Sequence, residues 1–139
     1  MSETSKIPSH ALVGDIGGTN ARFAIADLAT LALSHVGGSP TASHSTLADA
    51  IRDYLKGVDQ KIEHAGIAVA GPLLDDTVKL TNAAWTFCQS SLAKDAGLKT
   101  AHVFNDFEAQ AYCVPVLAPE ERHQLGGTEP VEHAPKVVL

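Results

Sequence analysis

Cysteine is almost missing from this chain. Cys88 and Cys113 are the only two in 139 residues, and they stand far apart with neither a metal-ligand nor a redox spacing. That excludes a disulfide framework and a thiolate metal centre, and both thiols are expected to be reduced. Positive charge is also scarce: ten Lys and Arg face sixteen Asp and Glu, a net charge of -6. Without a basic run, neither nucleic acid nor an anionic membrane is expected as the main partner. No apolar run approaches the roughly 20 residues of a membrane span. The opening MSETSKIPSH has no apolar segment of signal length, so the expectation is a soluble, cytoplasmic protein.

Several familiar reaction centres are missing as well. The glycine-rich stretch holds no GxGxxG and no lysine at its end, which rules against a dinucleotide fingerprint or a Walker-type loop running from strand to helix. No serine sits in a G-x-S-x-G elbow. The seven histidines (10, 35, 44, 64, 102, 123 and 133) are scattered, with no i,i+4 pair on a helix to hold a metal. What remains is an ordinary globular composition, 45% hydrophobic and 19% charged, long enough to bury about two thirds of its unfolded surface in one core.

Residues 1–10 are polar, contain Pro8 and read as a flexible tail. Apolar runs at 11–16 and 21–27 flank a glycine pair, and period-two alternation in the second makes both strands, joined by a glycine hairpin. A third strand is expected over 31–36, before the GGSPTASHS punctuation. Thr46 caps a helix carrying Leu47, Ile51 and Leu55 and ending near Gly57. The segment 64–71, small or β-branched throughout, reads as a central strand covered on both faces. A short strand follows through Val78 and Leu80. Next comes a helix capped by Ser90 or Ser91, carrying Leu92 and Ala96 and ending at Gly97. A strand through Val103 and Phe104 then gives way to a helix carrying Phe107, Ala111 and Val114 as far as Pro115. Strands alternating with helices indicate an α/β sheet. Residues 119–135 resemble a linker, and the terminal PKVVL is an apolar strand that either pairs back onto this sheet or opens a further domain.

Three places concentrate polar chemistry. In GDIGGTNARFAIAD (14–27), Gly17 and Gly18 can adopt backbone angles closed to other residues and present amides to a ligand, with Thr19 and Asn20 adding side-chain donors. Such a cluster suits phosphate oxygens. Asp15 would act through Mg²⁺ or its waters, since a carboxylate repels phosphate, and Arg22 would neutralise phosphate or pair with a carboxylate. The plainer alternative is a tight hairpin in which Asp15 pairs with Arg22. At FND (104–106), Asn105 and Asp106 project from a strand end into the usual crevice of an open sheet, as polyol contacts or as a helix cap. In TNAAWTF (81–87), Asn82 and Trp85 either flank a sugar or, for the tryptophan, pack in the core.

LVGDIGGTNARFAIAD, GIAVAGP, LTNAAWTF, HVFNDFEAQAYCVP and LGGTEP, in this order and spacing, resemble the N-terminal part of bacterial ATP-dependent glucokinase, of the actin-like, ribonuclease-H-like kinase superfamily. The match runs from about Leu12 to Leu139 and implies one lobe of a two-lobed kinase, an α/β mixed sheet with flanking helices. Residues 11–118 would form the small N-terminal lobe, with 119–139 a linker and the first strand of a missing C-terminal lobe. By the resemblance, Asp15 is the Mg²⁺-phosphate aspartate; Gly17, Gly18, Thr19 and Asn20 form the first phosphate loop, and Arg22 is the arginine after it. Asn105 binds glucose, Asp106 is the catalytic base, Asn82 lies by the sugar cleft, and Gly71 and Pro72 shape it. The implied activity is ATP- and Mg²⁺-dependent phosphorylation of glucose at its 6-hydroxyl, with a homodimer as the family expectation and an isolated lobe inactive. The alternative is a non-catalytic sugar-binding or regulatory domain of the same fold.

Overall fold

A computed structural model describes residues 8–80, 85–129, 131 and 133–135. Residues 1–7 of the tail expected over 1–10, Asn82 and residues 136–139 of the expected terminal strand therefore lie outside the described residues, and His10, expected in the tail, instead opens the first strand. Strand β1 (His10–Ile16) turns through the glycine pair into β2 (Asn20–Asp27), and β3 (Leu33–Pro40) follows. A 3₁₀ turn at Thr41–Ser43 leads to helix α1 (Leu47–Leu55) and strand β4 (His64–Val69). The short strands β5 (Thr77–Lys79) and β6 (Thr86–Cys88) pair as a separate ribbon. Helix α2 (Gln89–Ala96), strand β7 (Thr100–Asn105) and helix α3 (Asp106–Cys113) complete the regular elements.

The main sheet has the order β3-β2-β1-β4-β7. β1, β4 and β7 run parallel, while β2 is antiparallel to both of its neighbours. This is the mixed sheet expected of a ribonuclease-H-like fold. Alternation sorts the side chains: Leu12, Ile16, Phe23, Ile25, Ala65, Ile67 and Val69 face a core filled from the other side by Leu47, Ile51, Leu92 and Trp85. Gly14 occupies this same face. A Cβ there would stand 2.8 Å from Ile67 Cδ1 and 3.2 Å from the Phe23 ring, so the absent side chain is what lets those two residues close over β1.

Local chemistry explains most boundaries. Thr46 accepts the Asp49 amide at 3.0 Å while its hydroxyl donates to the Asp49 carboxylate at 2.8 Å, a two-way cap of α1. Gly97 ends α2 in the left-handed region at φ 75°. The expected cap of α2 is corrected, because the helix starts at Gln89 and its Ser90 amide and hydroxyl both donate to Asp76, at 2.8 and 2.7 Å. A carboxylate from the loop before β5 therefore does the work assigned to a local serine.

Two strands also differ from expectation. β3 runs on through Gly37, Gly38 and Pro40, which had read as punctuation. A Cβ on Gly38 would meet Ala21 O at 2.6 Å, so close strand approach, not chain breaking, explains that glycine. His35 and Val36 together oppose the single Ala24, a bulge in which His35 takes φ 53° and its carbonyl accepts the Tyr54 hydroxyl at 2.8 Å. The bulge and Pro40 disrupt this edge as a template for further pairing. β4 is not covered on both faces: Ala65, Ile67 and Val69 are buried, whereas His64, Gly66 and Ala68 are only half-buried, because the core helices pack on one side. No helix among the described residues is long and apolar enough to cross a membrane.

Gly14→Ala is expected to lower stability by about 1–3 kcal/mol through overpacking, read as a reduced urea midpoint with unchanged slope. Glu63, where β4 and β7 begin, carries a carboxyl held down to about 2 by Lys61 first and Lys99 second. A depressed carboxyl stabilises the fold above its unfolded value and loses that contribution as pH falls towards 2. Glu63→Gln should therefore melt below the parent at pH 6 and coincide with it near pH 2, in thermal scans across that range.

Candidate active site

Parallel pairing brings the carboxyl ends of β1, β4 and β7 to one edge of the sheet, the usual place for a ligand crevice in such sheets. Asp15 and Phe104 fall in one row across it, through Ala68 of β4. With strands about 4.8 Å apart, the ends of β1 and β7 lie roughly 10 Å from one another. The Asp15 turn and the Asn105–Asp106 pair therefore leave the same edge and not opposite sides.

At the first of these ends, Asp15 is exposed and accepts Arg22 Nη1 at 3.2 Å across the β1–β2 pair. This is the plainer alternative raised by the sequence, and it is present. Both side chains are more than 60% exposed, so the pair contributes at most about 1 kcal/mol and can be exchanged for another partner. The turn itself differs from expectation. The left-handed glycines among the described residues are Gly97 and Gly127, so the hairpin pair does not use backbone angles closed to other residues.

What the turn uses is hydrogen bonding. Gly17 N donates to Asn20 O at 2.9 Å. The carbonyls of Gly18 and Thr19 are both taken by Thr41, whose hydroxyl lies 3.1 and 3.2 Å from them and whose amide donates to Thr19 O at 2.9 Å. In a planar trans peptide the C=O and the following N–H point opposite ways. Drawing these two carbonyls towards Thr41 therefore turns the Thr19 and Asn20 amides away from it, and neither amide has a hydrogen-bond partner among the described residues. Adjacent free N–H groups of this kind make an anion-binding concavity. Beside them a shallow groove is lined by Asn20, Arg22 and residues 36–40.

At the other end, Asn105 uses both ends of its amide. Its Oδ1 accepts the Phe107 and Glu108 amides at 3.0 and 3.4 Å, and its Nδ2 donates to Gly71 O at 2.9 Å. It caps α3 and also ties the turn after β4 to the end of β7. Gly71 thus enters the site through its carbonyl. Asp106 is half-buried as the first residue of α3; Oδ1 accepts the Phe107 amide at 3.0 Å, and Oδ2 has no hydrogen-bond partner among the described residues. Trp85 is 2% exposed and donates Nε1 to His44 O at 2.9 Å, so it packs in the core and does not flank a sugar.

Sequence reasoning missed Thr41, at 6% exposure the buried polar side chain among the described residues. Its partners lie more than twenty residues away, a relation with no periodic or local signature. Among the described residues no group of three or more His, Cys, Asp or Glu could hold a metal. Asp15 is thus a lone carboxylate beside free amides, a donor set that fits a largely hydrated Mg²⁺ bound together with phosphate and does not fit an all-protein metal cage.

Replacing Asn105 tests the bridge. Asn105→Asp retains a cap acceptor but sets a carboxylate oxygen against Gly71 O, and Asn105→Ala loses both functions. Each should destabilise by about 1–3 kcal/mol, measured by urea unfolding, and equal stability of Asn105→Asp and the parent would dismiss the Gly71 contact.

The family model described as Glucokinase matches residues 12–139. The glucokinase of Erwinia tasmaniensis is 40% identical over 129 residues, which takes in 93% of this chain and 40% of the relative. That of Neisseria gonorrhoeae is 41% identical over 129 residues, covering 92% and 39%. The crystal structure of a glucokinase from an Antarctic psychrotroph superposes with a TM-score of 0.79 at 34% identity, over 92% of this chain and 42% of that one. A ROK family glucokinase from Streptomyces griseus, solved with glucose and AMPPNP, gives a TM-score of 0.59 at 26% identity, over 74% and 35%. The chain spans about 40% of the length of the curated relatives it matches.

Proposed function

The chain belongs to the glucokinase family, and from that premise we propose that it forms the N-terminal lobe of an enzyme that transfers the γ-phosphoryl group of ATP to the 6-hydroxyl of glucose. The observation that carries this reading is the shared edge: the free Thr19 and Asn20 amides and the Asp106 carboxylate leave the sheet two strands apart. A polyphosphate on one side and a sugar on the other would meet between them.

In this reading the amides of Thr19 and Asn20 receive phosphate oxygens, with the Thr19 and Asn20 side chains beside them. Arg22 can move from Asp15 to phosphate at small cost, since the pair between them is exposed. Asp15 would then be the residue to hold Mg²⁺ through water, and the ion when bound would neutralise charge developing on the polyphosphate. Gly17 and Gly18 keep this approach free of side chains. Asn105, already fixed between Gly71 O and the α3 amides, has both lone pairs of Oδ1 engaged and retains one N–H of Nδ2 for a sugar hydroxyl. Asn82 is assigned to the same cleft by the family resemblance.

The free Oδ2 of Asp106 orients the attacking hydroxyl and accepts its proton. In a loose transition state that proton becomes acidic only late, so a carboxylate suffices as base and positioning supplies most of the rate. The lobe reading is supported by α3, which buries no residue and leaves Phe107, Tyr112 and the following Val116 50%, 68% and 64% exposed. Such a surface fits residues 11–118 as one wall of a cleft whose other wall is a C-terminal lobe reached through 119–139. On this account the lobe alone is inactive.

Asp106→Asn in the complete enzyme should reduce glucose phosphorylation by about 10²–10⁴-fold, while the glucose dissociation constant, from calorimetric titration, stays within threefold. Near-normal turnover would remove Asp106 from the role of base.

A further inference from the structure

We propose that Thr41 is a positioning residue for phosphate transfer: it holds the Gly18–Thr19 turn so that the Thr19 and Asn20 amides face the nucleotide. The proposal rests on the kinase reading above, and it assigns a role to a residue outside the glycine-rich motif, at the far end of β3.

The argument is geometric. A two-residue glycine turn has little of its own to fix the orientation of its peptide planes, since Gly17 and Gly18 bring no side chains. If the Gly18 and Thr19 carbonyls rotated towards the ligand, they would present negative dipoles to phosphate and the site would repel what it should bind. Thr41 opposes that rotation from outside the turn. Its hydroxyl sits between the two carbonyls, at 3.1 and 3.2 Å, and its amide holds the second at 2.9 Å. At 6% exposure the hydroxyl has little water to turn to instead, and in such surroundings an unmade hydrogen bond is costly.

Thr41 is itself held in place. It begins the 3₁₀ turn at Thr41–Ser43, and His44 N donates back to Thr41 O at 3.3 Å. His44 in turn accepts Trp85 Nε1 on its carbonyl and meets Asp53 of α1 through Nε2 at 3.2 Å. The clamp on the turn is therefore anchored to the core helix and to the buried tryptophan, so it does not move with the ligand.

Thr41→Val keeps the shape and the backbone amide bond but removes the hydroxyl; Thr41→Ser keeps the hydroxyl; Thr41→Cys replaces it with a weak donor. In the complete enzyme, Thr41→Val should raise KM for MgATP about tenfold, leave KM for glucose within twofold, and be matched in direction by Thr41→Cys. Thr41→Ser should bring KM for MgATP back to within about twofold of the parent, which a loss of packing alone would not predict. Should Thr41→Val fail to fold, the Cys and Ser pair gives the same contrast. Equal rises for both substrates, or no rise for MgATP in either Val or Cys, overturn the positioning role. If the parent itself does not phosphorylate glucose, the kinase reading fails first, and amide exchange then tests the clamp alone: Thr41→Val must speed exchange at the Thr41 amide bonded to the turn, and unchanged exchange there rejects it.

Discussion

The parallel register of β1, β4 and β7 is the constraint on which the remaining structure depends. Parallel neighbours cannot be joined by a tight turn, so each connection must cross over the sheet. The links from β1 to β4 and from β4 to β7 carry α1 and α2, and both helices contribute to one core with the inner face of the sheet. The same register sends three carboxyl ends to one edge. Gly14 bears on the first of these results, because its missing side chain lets Phe23 of β2 and Ile67 of β4 close over β1, while strand pairing sets Asp15 level with Ala68 and Phe104.

The edge is stitched across its width by a few hydrogen bonds. Ala70 N donates to Ile16 O at 3.0 Å, joining the end of β4 to that of β1. Asn105 Nδ2 reaches Gly71 O, joining β7 to the same turn. Thr41 ties the glycine turn to the far end of β3. Each bond is individually modest, about 0.5–1.5 kcal/mol net, yet together they fix the relative placement of groups on three strands. The charged groups are treated differently. Among the described residues Asp15 and Arg22 meet only each other, in solvent, so the backbone is tied by hydrogen bonds while the charges remain exchangeable. That division suits a site whose amides must be preorganised and whose ions must rearrange when a polyanion arrives.

Much of this was legible in the sequence, for reasons that are local. Alternation in ARFAIAD placed β2, the Thr46–Asp49 spacing placed the start of α1, and Gly97 placed the end of α2, because each of these signals acts within a few residues. GGSP misled because glycine and proline also serve edge strands: Gly38 is needed where Ala21 O approaches, and Pro40 ends the strand. The near-continuous apolar character of 64–71 suggested two covered faces, but the face that carries Gly66 and Ala68 is only half-buried, and a Cβ on Gly66 would make no more than ordinary contact with Phe104, at 3.8 Å. Asp76 on α2, Tyr54 on the His35 bulge and Thr41 on the glycine turn were invisible. Each joins segments 14 or more residues apart, and nothing in the spacing of one partner specifies the other.

The two halves of the proposed site are not equally secured. The glycine turn is closed by its own Gly17–Asn20 bond and clamped by Thr41, which is anchored in the core. Helix α3, which carries Asp106, is eight residues long and buries none of them. A helix of that length has no independent stability. Its position rests on the Asn105 cap and on an edge contact between Phe104 and Tyr112 at 5.9 Å. On the proposed kinase reading, a carboxylate held so lightly would gain its working geometry when something packs against the exposed side of its helix. If the other wall of the cleft supplies that packing on closure, the carboxylate is set in place when both substrates are enclosed and water is excluded. On that reading closure would gate the chemistry by placing Asp106, while the glycine turn would be ready beforehand.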